Sequence, residues 1–287
     1  VSAFRAITTL NQVLKQCTMQ IPQFTLVDKP DIENRGIMID VSNGKLPEKE
    51  ELQKLIDFMS EIKYNQLHLY IDDVVFAYPD FLESVKELSV YCKERCIELV
   101  PNHNYFEQDK KNFSNTISYC ESNYIGIGYT EINEEAYTKF LLEIDELSKK
   151  YGKQTLFRDD KFILNPETMK KLPRDIIPLE RGDEPDSTIL ESRVKFLAEE
   201  GFDFYVCPET SGWQNENTVE NQLEYAVYGK KYKALGYLLT EQGNGWHTKS
   251  PAISLVPYVY GGGISWGVDE NADVADAIEL VNDLERL

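Results

Sequence analysis

The sequence predicts an α/β protein whose parallel sheet closes into a (β/α)8 TIM barrel. From Arg35 onward, short β-rich runs alternate with longer helical patterns, which is the order that crossover helices give to a parallel sheet. The alternation yields eight strand–helix units, the number that closes such a barrel, and the 287 residues fit its usual size of about 250. The main rival is a doubly wound open sheet, which often carries a Gly-rich phosphate loop after its first strand. Here the segment SNGKLP follows that strand, so the barrel is favoured.

The eight strands are predicted from short apolar runs bounded by turn residues. In chain order they are GIMIDVS (36–42), QLHLYID (66–72), IELVPN (97–102), YIGIGYT (124–130), QTLFRD (154–159), DIIPLE (175–180), DFYVCPE (203–209) and GYLLTE (236–241). Between strands, LPEKEELQKLIDFMSEIKY (46–64) and EEAYTKFLLEIDELSKKY (134–151) show the apolar spacing of amphipathic helices.

Residues 1–34 precede the alternation and are predicted to form a lead-in helix and a linker. AFRAITTLNQVLKQC has the pattern of an amphipathic helix, and the segment after it is punctuated by Pro and Asp. We interpret this region as the remnant of a preceding domain and residues 35–287 as the barrel domain, closed by a helix in ADVADAIELVNDLERL. The run GGG at 261–263 is interpreted as packing or a turn rather than a phosphate cradle.

The composition narrows the classes of function. A net charge of −19 should repel nucleic acid and anionic membranes, and no apolar run reaches the roughly 18 residues of a membrane span. The five cysteines are widely spaced and the three histidines lie far apart, so we expect no metal and no cofactor. His68 alternates with leucines inside a strand and is interpreted as a structural histidine. No signal peptide is visible, and neither the compartment nor the oligomeric state follows from the sequence.

The stretch YIGIGYTEINEEAY (124–137) is the most informative, because a predicted strand ends at Thr130 and Glu131 and a helix follows at once. In a β/α barrel such junctions form the mouth, where catalytic groups lie. Other strand ends add carboxylates and aromatic residues, which are the groups that bind sugar hydroxyls, stack on sugar rings and cleave glycosidic bonds. Since the chain contains 49 acidic residues, several at the rim are expected by chance, and other barrel chemistries stay open.

Several segments carry a resemblance to a known family. RGIMIDVSNGKLPEKEELQKLIDFMSEIKYNQLHLYIDD (35–73) resembles the opening of the catalytic barrel of family 20 glycoside hydrolases, the β-N-acetylhexosaminidases. FRAITTLNQVLKQ and DKPDIENRG resemble the lead-in from that family's small N-terminal domain, and ELVPNHNYF, FYVCPETSGWQN and YVYGGGISW resemble later barrel segments. The resemblance covers nearly the whole chain in order, and it implies a glycosidase that acts on a carbohydrate or glycoconjugate.

The resemblance also implies a mechanism. In that family the substrate's own 2-acetamido oxygen attacks the anomeric carbon, which makes it one of the substrate-assisted exceptions to hydrolysis by two carboxylates. Glu131 matches the acid/base, and Arg35 matches the arginine that holds sugar hydroxyls. The Asp that stabilises the acetamido group is replaced by Thr130, which can hydrogen-bond but cannot supply a charge.

Further departures change the pocket that the resemblance implies. Arg158, Arg181 and Gln242 stand where tryptophans are usual, and Gln108 stands where a histidine is expected. Three functions therefore stay open: a glycosidase, a sugar-binding or scaffolding homologue that lost hydrolysis, and an enzyme whose arginines receive an acidic ligand. The glycosidase is preferred because Glu131, Arg35, Asp40 and Trp266 remain, and because Glu131 is kept at a strand end.

The predicted site is one pocket at the mouth of the barrel. Glu131 and Thr130 are its predicted catalytic residues. The predicted substrate-binding residues are Arg35, Asp40, Asp72, His103, Arg158, Asp160, Arg181, Glu184, Trp213, Glu241, Trp246 and Trp266. Side chains expected to converge there are those of Arg35, Asp40, Glu131, Asp160, Trp213 and Trp266.

Overall fold

The computed structural model describes residues 1–17, 21, 23–41, 47–71, 81–103, 110–119, 121–128, 134–158, 165–181, 187–210, 217–241 and 251–284. Its strands are β1 Asn34–Asp40, β2 Gln66–Ile71, β3 Glu98–His103, β4 Tyr124–Ile127, β5 Gln154–Arg158, β6 Ile177–Glu180, β7 Tyr205–Val206 and β8 Gly236–Glu241. Its helices are α1 Ser2–Gln16, α2 Lys49–Glu61, α3 Phe81–Glu94, α4 Lys110–Tyr119, α5 Glu134–Lys150, α6 Pro166–Met169, α7 Ser187–Glu199, α8 Asn217–Tyr232, α9 Pro251–Trp266 and α10 Val274–Leu284.

The strands form a closed parallel barrel in sequence order, with β8 paired to β1. The predicted (β/α)8 barrel is therefore confirmed, and its eight strands fall within the predicted runs or within two residues of them. Because all strands are parallel, their carboxyl ends meet at one end of the barrel, which is called the mouth below. Their amino ends meet at the other end, which is called the floor.

Among the described residues, side chains from the strands and from the residues next to them fill the barrel interior. One buried cluster contains Met38, Val100, Leu156, Ile177, Leu179, Tyr205, Cys207 and Leu238, which come from β1, β3, β5, β6, β8 and the strand β7 with its extension. Neighbouring residues such as Ile37 and Ile39 belong to a second, larger cluster that includes the helices. The alternation of strand side chains thus separates a barrel core from an outer core, as the period of two requires.

The segment with GGG is helical, which the sequence did not predict. Gly261 and Gly262 lie inside α9, and a Cβ on Gly261 would stand 2.8 Å from the Tyr64 hydroxyl oxygen. Tyr64 is fully buried and donates a hydrogen bond to the carbonyl of Tyr258, 2.9 Å away. The interpretation of these glycines as packing residues is right, and the alternative of a turn is wrong, because the helix continues through them to approach Tyr64 closely.

The lead-in helix α1 is fastened near the floor by one buried arginine. The Arg5 guanidinium donates to the main-chain carbonyls of Ser60, Tyr64 and Cys96 at 3.2, 2.6 and 3.3 Å. These carbonyls lie in the last turn of α2 or shortly after α2 and α3, before the strands that those helices precede. Burial lowers the pKa of Arg5 below its ordinary value. Among the described residues, no helix has the length and apolar character that a membrane span needs.

Candidate active site at the barrel mouth

The mouth contains a pocket of about 210 Å³. Its described lining comprises Met38, Asp40, Tyr70, Arg158, Leu179, Arg181, Cys207, Thr240 and Glu241. The apolar members Met38, Leu179 and Cys207 belong to the barrel core, so that core is the bottom of the pocket. The polar members stand at or next to the carboxyl ends of β1, β2, β5, β6 and β8. Of the predicted site residues, Asp40, Arg158, Arg181 and Glu241 are thus brought together.

Two cations and several carboxylates are interleaved around this pocket. Arg181 is 8% exposed and forms an ion pair with Glu209, which lies in the extension of β7. That extension is held against β8, because the amide of Thr240 donates to Pro208 at 2.8 Å and the amide of Thr210 donates to Thr240 at 3.0 Å. Main-chain pairing therefore delivers Glu209 to the rim beside Arg181.

Glu241 is positioned from outside the barrel. The Tyr258 hydroxyl on α9 donates a hydrogen bond to one Glu241 carboxylate oxygen. Tyr258 is buried and belongs to the outer core, so the helix that follows β8 returns one hydroxyl to the last residue of that strand. The sequence analysis missed Tyr258, because no local motif links it to a carboxylate earlier in the chain. It also missed Cys207 and Thr240, although alternation along β7 and β8 could have indicated both.

Arg35 and Trp266 do not lie at the mouth, and their predicted convergence there is wrong. Arg35 lies near the start of β1 and is 3% exposed. Its guanidinium donates to the main-chain carbonyls of Ile32, Glu33 and Lys63 at 2.9, 2.6 and 2.8 Å. Its guanidinium stands 4.8 Å from the centre of the Trp266 ring, at the end of α9. Burial lowers the pKa of Arg35 to about 9, so it stays protonated at neutral pH. The reason is their position along β1: Arg35 is its second residue, at the floor, whereas Asp40 is its last residue, at the mouth.

His103 is also turned away from the pocket. Although it is the last residue of β3, it is fully buried, and its ring packs edge-on against Phe113 of α4 at 6.1 Å between ring centres. The preceding residue Asn102 reaches His68 inside the barrel. The alternation of side chains along β3 therefore directs His103 toward the helices. Its predicted role in binding substrate is wrong, because its side chain does not face the pocket.

The remaining predicted site residues fall outside the part of the chain that the structure describes. They are Asp72, Thr130, Glu131, Asp160, Glu184, Trp213 and Trp246. For Thr130 and Glu131 the start of their segment is described. The strand β4 ends at Ile127, and the amide of Gly128 donates to the carbonyl of His103 at 2.9 Å. The chain thus leaves β4 on the mouth side, beside β3 and the end of β5.

The arrangement suits a ligand rich in hydroxyl groups. Carboxylates such as Asp40 and Glu241 accept hydrogen bonds, guanidinium groups donate them in fixed directions, and Tyr70 offers an aromatic surface. Across the described residues, no group of three or more His, Cys, Asp or Glu side chains could hold a metal ion.

Comparison with known proteins gives the family resemblance directly. Residues 33–161 match the family model for glycosyl hydrolase family 20, catalytic domain. A β-hexosaminidase of Akkermansia muciniphila is 29% identical over 33% of this chain and 25% of its own length. The human β-hexosaminidase subunit beta is 40% identical over 26% of this chain and 14% of its own length. The matched segments therefore span a quarter or less of these relatives.

Solved structures extend the likeness in fold. A family 20 exo-β-N-acetylglucosaminidase from Vibrio harveyi, crystallised with N-acetylglucosamine, superposes with a TM-score of 0.70 at 12% identity, over 98% of this chain and 63% of its own. A β-N-acetylhexosaminidase from Bacteroides fragilis gives 0.60 at 13% identity, over 82% and 66%. The resemblance to the catalytic barrel of family 20 glycoside hydrolases is thus confirmed, by the sequence pattern over residues 33–161 and by the barrel fold over nearly the whole chain.

Proposed function

We propose that this chain is a glycoside hydrolase that resembles the β-N-acetylhexosaminidases and cleaves a terminal β-linked N-acetylhexosamine or a related sugar. The observation that carries the proposal is the mouth pocket, in which carboxylates, guanidinium groups and a tyrosine line the carboxyl end of a closed barrel. Active sites of such barrels lie at this end. The substrate class is suggested by the relatives, which are named β-hexosaminidases and β-N-acetylhexosaminidases.

Glu131 is the proposed general acid and base. Its carboxyl group would donate a proton to the leaving glycosidic oxygen while the substrate's 2-acetamido oxygen attacks the anomeric carbon. The resulting carboxylate would then take a proton from the water that opens the cyclic intermediate. Chain connectivity supports this assignment, because β4 ends at Ile127 on the mouth side and Glu131 follows a few residues later.

The described charges favour a neutral sugar over an acidic one. The lining holds Arg158 and Arg181 together with Asp40 and Glu241, and Glu209 forms an ion pair with Arg181. Positive charge is therefore offset within the pocket, whereas an anion site needs an excess of it. The second candidate is an acidic sugar, whose anionic group would displace Glu209 from Arg181.

Turnover of aryl β-glycosides with and without a 2-acetamido group tests the proposal. We expect release of the aryl group from the 2-acetamido glycosides and at least 10²-fold slower release from Glu131→Gln, because general acid–base catalysis contributes about 10²–10⁴-fold. Glu131→Gln is the matched control, since it keeps the shape of the side chain but has no acidic proton to transfer. Binding of N-acetylhexosamine without turnover would overturn hydrolysis and support the sugar-binding homologue. Turnover of acidic sugars alone would support the second candidate.

Because Thr130 stands where the family has an aspartate, we expect the enzyme to be slow. Loss of one preorganised group that stabilises transition-state charge costs about 10²–10³ in rate, and threonine supplies no charge. We expect Thr130→Asp to raise kcat for a 2-acetamido substrate, while Thr130→Asn, which is uncharged and of similar size, gives no comparable gain. A wild-type kcat equal to that of an ordinary hexosaminidase would contradict this expectation and would indicate that another carboxylate replaces the missing Asp.

A further inference from the structure

A chain of polar side chains, most of them buried, crosses the barrel interior beneath the mouth pocket. The side-chain amide of Asn34 donates to the Tyr205 hydroxyl at 2.7 Å, and that hydroxyl donates to the side-chain oxygen Oε1 of Gln66 at 3.0 Å. Nε2 of His68 lies 3.3 Å from the same oxygen, and Nδ1 lies 3.1 Å from the Asn102 amide nitrogen. Gln66, His68 and Asn102 are 1%, 0% and 2% exposed. Such a network ties β1, β7, β2 and β3 together inside the core.

These contacts determine the state of His68. The Asn102 amide nitrogen can only donate, so Nδ1 of His68 accepts, and the ring proton must be on Nε2, where it is donated to Gln66. Burial lowers the pKa of His68 to about 3, so the ring is neutral at ordinary pH. Both ring nitrogens are used, which holds the ring and, through it, the orientation of the Asn102 amide.

Asn102 in turn packs against the backbone of β4. The strand β4 is only four residues long, and its pairs with β3 are Asn102↔Gly126 and His103↔Ile127. A Cβ on Gly126 would stand 1.7 Å from the Asn102 Oδ1 atom, so the amide occupies the place of a side chain there. The Asn102 amide therefore forms the side-chain contact between β3 and β4 at this position.

The same network holds the other end of β4. Gln66 donates from its amide nitrogen to Glu98 Oε2 at 3.1 Å. The second Glu98 oxygen accepts from the Ser122 hydroxyl at 3.0 Å and from the amide of Asn123 at 2.7 Å, directly before β4 begins. All four residues of β4 pair with β5, but only two of them pair with β3. Polar side chains of β2 and β3 thus add contacts at both ends of β4 on the side where main-chain pairing is sparse.

We propose that His68 and Asn102 are positioning residues for the proton donor that follows β4. The inference rests on the proposed function of Glu131, which comes a few residues after the described residue Gly128. Glu131 is three residues after Gly128, and consecutive Cα atoms are about 3.8 Å apart, so the end of β4 limits the positions that Glu131 can take. A general acid must come within about 2.6–3.2 Å of the atom that it protonates, and a misplacement of about 1 Å can cost about 10² in rate.

Glycine substitutions provide the first test. We expect Gly126→Ala to lower kcat by about 10²-fold with little change in KM, because the new methyl group pushes β4 away from Asn102. Gly229→Ala is the matched control: its Cβ would stand 2.9 Å from Val206 Cγ2 on the outer face of the barrel, and kcat should stay as in wild type. Adding Asn102→Ala to Gly126→Ala frees the space for the methyl group and should restore part of kcat. Equal kcat losses in Gly126→Ala and Gly229→Ala, or none in the former, would overturn the proposal.

Hydrogen exchange provides a second test that does not need activity. His68→Phe keeps a buried ring but removes both hydrogen bonds. We expect faster amide exchange at residues 124–128 than in wild type, with exchange at residues 236–241 of β8 unchanged. Faster exchange in both strands alike would show that His68 contributes only to global stability. Unchanged exchange in both would show that it has no measurable effect on β4. Either result would overturn the proposal. If the wild type cleaves no glycoside, the proposed function fails, and the exchange pattern still decides whether these residues position β4.

Discussion

Arg181 and Glu209 show, at the scale of single residues, how the pocket acquires its chemistry. A guanidinium that is 8% exposed needs a partner, since an unpaired buried charge is costly. Glu209 supplies it, and Arg181 can then keep its fixed fork of donors at the pocket wall. A sugar hydroxyl bound there would meet a donor that is oriented in advance, which is how preorganised groups add affinity.

Glu209→Gln tests this pair. The variant keeps the shape of the side chain and removes its charge, so we expect weaker binding of neutral N-acetylhexosamine and stronger binding of an acidic sugar. A hydrogen bond to a charged group contributes roughly 1.5–3 kcal/mol, and the change in neutral-sugar affinity should not exceed that range. Calorimetric titration with the neutral and the acidic sugar gives both numbers. An equal shift for the two ligands would mean that the charge of Glu209 does not tune the pocket.

At the scale of elements, the lead-in segment is fastened to the floor through Trp266. The Trp266 ring contacts two cations, with the Lys63 ammonium 4.3 Å and the Arg35 guanidinium 4.8 Å from its centre. Its indole N–H donates to Asp28, and Lys63 also donates to Asp28 at 2.8 Å. Cation–π contacts of buried groups contribute about 2 kcal/mol or more. One side chain of α9 therefore joins the linker before β1 to the turn before β2.

Asp28 predicts a pH dependence of stability. Partial burial alone would raise the pKa of Asp28, but hydrogen bonds from Lys63, Thr9 and Trp266 outweigh it and lower the pKa below its ordinary value. The stabilisation is therefore complete above the unfolded pKa of about 3.9 and is lost as pH falls through the lower folded pKa. We expect the difference in unfolding free energy between wild type and Asp28→Asn to be constant near neutral pH and to shrink as pH falls below the unfolded pKa of about 3.9 and through the lower folded pKa.

The matched control for this prediction is Asp269→Asn. Asp269 also forms an ion pair with a lysine, Lys230 at 2.7 Å, but its side chain is 78% exposed. Exposed pairs contribute little, so this substitution should change the unfolding free energy by less than about 0.5 kcal/mol at any pH. Urea denaturation at a series of pH values measures both variants. If Asp28→Asn were as stable as wild type at pH 7, the contacts of Asp28 with Lys63 and Trp266 would not hold the lead-in segment.

At the scale of the whole molecule, closure of the barrel separates chemistry from support. Parallel strands bring every carboxyl end to the mouth, where the pocket lies, and every amino end to the floor, where Arg35 and Trp266 lie. Between the two ends, the barrel core of apolar side chains forms the bottom of the pocket. Changes in that core should therefore affect the stability of the whole barrel and the shape of the site together.

Leu238→Ala tests the barrel core. Leu238 is fully buried, and its Cδ1 atom would stand 2.9 Å from a Cβ on Gly36 of the neighbouring strand. A buried Leu→Ala change costs about 2–5 kcal/mol, and we expect a loss of unfolding free energy in that range. Leu280→Ala on α10, where the side chain is 43% exposed, should cost less than about 0.5 kcal/mol. Equal losses in the two variants, measured by urea denaturation, would exclude the barrel core as the main source of stability.

The sequence by itself determined that the chain forms a barrel and that the polar groups of the pocket lie at its mouth. Eight alternations of strand and helix have one closed arrangement, and residues that end strands, such as Asp40 and Glu241, must then meet at the mouth. Local spacing is enough for these statements, because alternation and strand order are properties of the chain.

Only the tertiary structure decided which residues face the pocket and which support it. Arg35 and His103 lie on strands that reach the site, yet their positions along and around those strands turn them to the floor and to the helices. Tyr258 reaches Glu241 through the path of α9, and Trp266 reaches Asp28 across most of the chain length. The physical reason is that side-chain direction depends on the register and closure of the sheet, and contacts between distant segments depend on packing, neither of which local sequence patterns encode.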